Sequence, residues 1–126
     1  MSILRVGNGA GFWGDSPSAP GQLLRTGNLD YLTLEYLAEL TLSILAHQKS
    51  KNRESGFVTD VPAAAVELAS LRREGSSTRL VTNGGGMNPV GCARKVANEL
   101  LSRDLPDLKI GVVVGDDFAG RSEEHT

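Results

Sequence analysis

The residues of this chain that could do chemistry gather in four short stretches. Residues 7–16 read Gly-Asn-Gly-Ala-Gly-Phe-Trp-Gly-Asp-Ser. Residues 35–39 carry two carboxylates spaced by four, Glu35 and Glu39. Residues 83–89 read Asn-Gly-Gly-Gly-Met-Asn-Pro, and residues 115–117 read Gly-Asp-Asp. A carboxylate fixed in a cleft can act as general acid or base once its surroundings tune its pKa. Glycines leading into a capped helix expose amides that can hold an anion or a developing oxyanion. On these grounds Asp15 and Glu35 are the acid–base candidates. Asn8, Gly9, Gly11, Gly14, Asn83, Gly84, Gly85, Gly86, Asn88, Asp116 and Asp117 are the ligand-binding candidates.

Each has a plainer reading beside the chemical one. Residues 9–14 are a literal GxGxxG with Glu35 about 20 residues on, as a dinucleotide site would want. Yet Asp15-Ser16-Pro17 restarts the backbone where that fingerprint needs a continuous helix, and an anionic Asp15 would oppose a pyrophosphate. The glycines can equally serve as sites of positive φ. Asn88 before Pro89 is a helix cap whatever else it does. Glu39 and Ser43 would continue a polar stripe begun at Glu35. Cys92 reads as a packed thiol, and His47 as a helix-end residue suited to the dipole. No metal-ligand spacing and no Ser-His-Asp or Cys-His arrangement stands out, so no cofactor or metal is identified.

The elements that must position these groups follow from periodicity and punctuation. Residues 3–6 read as a strand. Ser16-Pro17 opens a weak helix, interrupted by Pro20-Gly21 and stopped by Gly27. Residues 30–34 read as a second strand, and residues 36–48 as a buried helix because apolar side chains lie on most of its faces. A polar loop spans 49–57. Thr59 or Asp60 caps a helix closed by Gly75. Residues 79–82 form a third strand, Asn88-Pro89 caps a further helix, and 109–114 read as a fourth strand, β-branched as in a buried parallel sheet. The order β-α-β-α-α-β-α-β specifies an α/β fold with a mostly parallel sheet. Ligands of such sheets bind beyond the carboxyl ends of the strands, which is where all four stretches fall.

Bulk properties narrow the partners. The 126 residues suit one domain. A net charge of −2 and 5% aromatic residues argue against a nucleic-acid or anionic-membrane partner. A single cysteine and the absence of an apolar leader fit a cytoplasmic location.

The four stretches, in this order, resemble the N-terminal domain of the acyclic terpene utilisation (AtuA) family. The motifs are Gly9-Ala10-Gly11-Phe12-Trp13-Gly14-Asp15-Ser16, Leu34-Glu35-Tyr36-Leu37-Ala38-Glu39-Leu40-Thr41, Thr82-Asn83-Gly84-Gly85-Gly86-Met87-Asn88-Pro89 and Val114-Gly115-Asp116-Asp117. The resemblance implies a bacterial cytoplasmic protein of citronellol- and geraniol-type terpene breakdown, a pathway that runs through CoA thioesters. It implies a small-molecule or CoA-ester ligand and transfers no residue roles. Family members are longer. Residues 1–120 are therefore expected to be an N-terminal portion that needs further chain to cover its apolar surface, and a homo-oligomer is a separate expectation. The last six residues, Arg121-Ser122-Glu123-Glu124-His125-Thr126, equal the translation of a common sequencing adapter and read as non-native.

Overall fold

The computed structural model describes residues 2–117. The expectations for residues 118–126 lie outside them.

The chain runs β1 (Val6–Asn8), α1 (Ala19–Thr26), β2 (Tyr31–Leu34), α2 (Ala38–Lys51), α3 (Asp60–Arg73), β3 (Arg79–Thr82) and α4 (Pro89–Ser102). The three strands form one parallel sheet in the order β1-β2-β3. Val6 pairs with Tyr31, and Tyr31 with Arg79; Asn8 pairs with Thr33, and Thr33 with Val81. The fold is α/β with an all-parallel sheet, as the alternation of elements predicts.

Local chemistry accounts for the helix ends. Asn88 caps α4, its Oδ1 accepting from Gly91 N at 3.0 Å, and Pro89 at the first position gives up no needed N–H. Gly27 closes α1 by donating to Leu23 O. Gly75, with φ of +100°, ends α3. The central strand supplies the innermost side chains, Leu32 and Leu34. Helix α3 lies against α1, α4 and β3 and adds Val61, Ala64, Ala65, Leu68 and Ala69; α4 adds Cys92, Val96 and Leu100.

Four elements differ from expectation. Helix α1 opens at Ala19 and not at Ser16-Pro17, and Pro20-Gly21 lie within its first turn instead of interrupting it, since proline is tolerated there. The first strand starts at Val6 because pairing with β2 begins there, after an anchor in which Arg5 N donates to Asp30 Oδ2 at 2.8 Å; Ile3 and Leu4 stay exposed. Helix α2 is not buried on all sides. Only Thr41 and Leu45 are covered, and Leu40 and Ile44 face outward, since an apolar helix is buried only where neighbours exist.

Residues 109–114 do not form the expected fourth strand. They run past β3 without a ladder, with Val113 90% exposed, and the two segments border an apolar groove of about 1050 Å³. A parallel strand is held by layers on both faces. Among the described residues no element covers the outer side of these valines, so the ladder alone does not recruit them.

Candidate functional site

The loops at the carboxyl end of the sheet are joined by hydrogen bonds. Gly9 N donates to Thr33 O and Glu35 N to Ala10 O at 3.1 Å, which ties the loop after β1 to the end of β2. At the next strand the link is Asn83. Its Nδ2 donates to Glu35 Oε1 at 2.9 Å, and its Oδ1 accepts from Tyr36 N at 3.0 Å. Thr82 Oγ1 donates to Leu34 O at 2.7 Å and accepts from Gly84 N at 2.9 Å. The result is one continuous edge carrying Asp15, Glu35, Tyr36 and Asn83.

Glu35 precedes α2 rather than lying on it. Leu37 takes a left-handed φ of +57°, and Leu37 N donates to Glu35 Oε1 at 2.8 Å. The kink separates Glu35 from the stripe of Glu39 and Ser43. It also orients the exposed carboxylate, with Oε1 taken by two donors.

Asp15 closes its own loop. Its Oδ2 accepts from Gly11 N at 3.0 Å and its Oδ1 from Ser16 N at 2.8 Å. These two amide bonds, Gly11 first, hold its carboxyl below the usual value of 3.8, against a small opposing effect of desolvation. Gly14 has φ of +100°, and α1 begins only at Ala19, so the GxGxxG is a loop and not a strand–turn–helix.

The three consecutive glycines are explained by packing. A Cβ on Gly84 would run into Val61 Cγ2 and stand 3.0 Å from Tyr36 Cε2. One on Gly85 would stand 2.8 Å from Pro89 Cβ, and one on Gly86 would strike Leu45 Cδ1. Most amides here turn inward. Gly84 N donates to Thr82, Gly86 N to Asn83 O, Met87 N to Gly56 O and Asn88 N to Gly85 O. Asn88 is fully engaged, since its Nδ2 also donates to Arg53 O and Ser55 O. Asn8 is held on the sheet, its Oδ1 accepting from Thr33 Oγ1 at 3.0 Å. Asp117 reaches this loop through Lys49, which lies 3.9 Å from Asp117 Oδ2 and donates to Met87 O at 2.7 Å; Asp116 lines the apolar groove.

Tyr36 is the residue that sequence reasoning left out. It is 3% exposed, its N–H is held by Asn83, and its carbonyl accepts from the Thr41 hydroxyl. Burial first, then the charges of Asp60 and Cys92, push its phenol up to about 12. It lines a cleft of about 110 Å³ between residues 15–17 and the start of α3. A tyrosine inside an apolar run carries no signal that separates it from core. Cys92 is buried as expected, and burial raises its thiol to about 11. Among the described residues no group of three or more His, Cys, Asp or Glu side chains could hold a metal ion, and no helix is long and apolar enough to cross a membrane.

Fold and site together define an α/β protein whose strand-end loops make a single hydrogen-bonded edge. A family model described as "Acyclic terpene utilisation family protein AtuA" matches residues 4–126, and the chain belongs to that family, whose name ties it to the utilisation of acyclic terpenes. No curated protein and no solved structure gives a significant match.

Proposed function

We propose that this chain carries the working edge of a cytoplasmic enzyme, or enzyme subunit, of citronellol- and geraniol-type terpene breakdown. Its substrate is a terpenoid or other branched acid, or the CoA ester of one. The observation that carries the reading is the Glu35–Asn83 pair. It fixes an exposed carboxylate between two loops, with one oxygen taken by two donors and the other without a partner among the described residues. That is how a general base is held. Glu35 is assigned the acid–base role, Asn83 positions it, and Asp15, whose charged form the Gly11 and Ser16 amides favour, lies on the same edge. The inward amides of residues 83–88 favour a scaffold role for the glycines, with fewer donors left for an anion or oxyanion.

The same amides favour a second reading, a non-catalytic subunit that uses these loops to hold a ligand. The test is growth of a host on citronellol with the intact protein carrying Glu35→Gln or Asp15→Asn. Growth should fail at unchanged protein level, with Glu35→Gln the more severe. Normal growth of both variants would end the catalytic assignment, and stabilisation by CoA esters without turnover would favour the binding subunit.

A further inference from the structure

The small cleft at this edge contains a polar group that the fold itself leaves unused. The Tyr36 phenol has no hydrogen-bond partner among the described residues, although its backbone N–H and carbonyl both do. No described buried side-chain nitrogen or oxygen is both sealed and unpaired, so the phenol oxygen keeps some accessible surface. The cavity that Tyr36 lines is the cleft of about 110 Å³. A buried tyrosine hydroxyl ordinarily finds a partner, because leaving one unbonded forfeits the hydrogen bond it would make to water.

The other walls decide what that partner is. Three carboxylates, Asp15, Asp60 and Glu67, line the cleft and no lysine or arginine does. Arg25 engages Glu67 from outside at 3.5 Å. A carboxylate or phosphate ligand would therefore meet like charge with no cation on the cleft wall to bind it. The phenol stays protonated at any physiological pH, so it donates. Hydroxyls, of water or of an alcohol, and primary amides both accept from a phenol and donate to a carboxylate, and the small volume favours the hydroxyl. Ala10, Pro20 and Ala64 supply apolar wall, and the volume is that of roughly three or four waters.

We propose that this cleft is a subsite for the hydroxyl end of a small or chain-terminal alcohol, with Tyr36 donating to the ligand oxygen and Asp15 or Asp60 accepting a hydrogen bond from the ligand hydroxyl. The proposal rests on the reading above only in taking this edge as the working face; the cleft would take a hydroxyl of such a substrate, away from its carboxyl or thioester end.

The test is titration of the full chain, followed by amide NMR, with 3-methylbutan-1-ol, 3-methylbutanoate and 3-methylbutan-1-amine as probes. The alcohol should shift the amides of Gly11, Ser16 and Asp60 saturably. Tyr36→Phe should weaken binding at least tenfold, and Ala63→Leu, at an exposed position on the cleft wall, should abolish it without unfolding the chain. No saturable shift, unchanged binding by Tyr36→Phe, or tighter binding of the acid or the amine would each overturn the proposal. The two readings fail separately: lost alcohol binding with a Glu35→Gln growth defect removes only the subsite, and the converse removes only the catalytic assignment.

Discussion

Gly84→Ala separates two explanations of the glycine run. The backbone at Gly84 is not in the left-handed region, so alanine meets no φ penalty and the effect is steric. The new Cβ would run into Val61 Cγ2 and crowd Tyr36 Cε2 at 3.0 Å and Thr82 Oγ1 at 3.1 Å. Val61 is 4% exposed at the start of α3, and Val58 N donates to Gly84 O at 2.8 Å, so neither side can slide away. Overpacking of this kind costs about 1–3 kcal/mol. The stiffer unfolded chain returns about 0.4–1 kcal/mol. The expected net loss is about 1–2 kcal/mol, or roughly 4–8 °C in Tm for a chain of this size. Urea and thermal unfolding followed by circular dichroism would measure it. Removing the clash should restore packing, so Gly84→Ala combined with Val61→Ala should be at least about 1 kcal/mol more stable than the sum of the single changes. Gly11→Ala is the control, because its Cβ would come no nearer than 3.8 Å to Asp15 Oδ2. A Gly84→Ala chain as stable as the parent, or strictly additive single changes, would refute the packing account. A loss of anion affinity without loss of stability would point to the amide cradle instead.

Two further outcomes follow from titrating groups. Asp15 has a carboxyl lowered by the Gly11 and Ser16 amides, so its contribution is complete above 3.8 and is lost as pH falls toward its folded value. Carbon NMR of the carboxyl should place its midpoint below 3.8, and Asp15→Asn should flatten the acid side of the Tm profile; a midpoint at or above 3.8 contradicts the loop geometry. Cys92 is raised from 9.0 to about 11, so the stability tied to its neutral thiol is complete below 9.0 and is lost as pH climbs toward 11. At neutral pH that means about a hundredfold less thiolate than a free thiol. A thiol reagent at pH 8 should therefore label the native chain only at its opening rate and the denatured chain at once, whereas prompt native labelling would count against a buried Cys92.

How much of this was legible without coordinates depends on the range of the forces involved. Asn88-Pro89, Gly27 and Gly75 announced their helix ends because capping and positive φ act within a few residues. Residues 79–82 were readable as a strand, and the alternation of elements specified a parallel sheet with its loops at one edge. Burial and pairing act between distant segments and were not legible in the same way. The β-branched run at 109–114 has a strand's composition, but its state depends on a ladder and a covering layer that sequence spacing does not report. Apolar residues around α2 could not say which of its sides would find a neighbour. The candidate site divides along the same line. Which residues sit at strand ends was set by the local pattern of the chain. Tertiary structure alone decided that Asn83 would bind Glu35 across two strands, that Val61, Tyr36, Pro89 and Leu45 would occupy the space the three glycines leave, and that Tyr36 would be buried with its hydroxyl unspent. Apart from Gly85 with Pro89, these contacts join residues 23 to 48 positions apart, and only the folded chain brings such residues within reach.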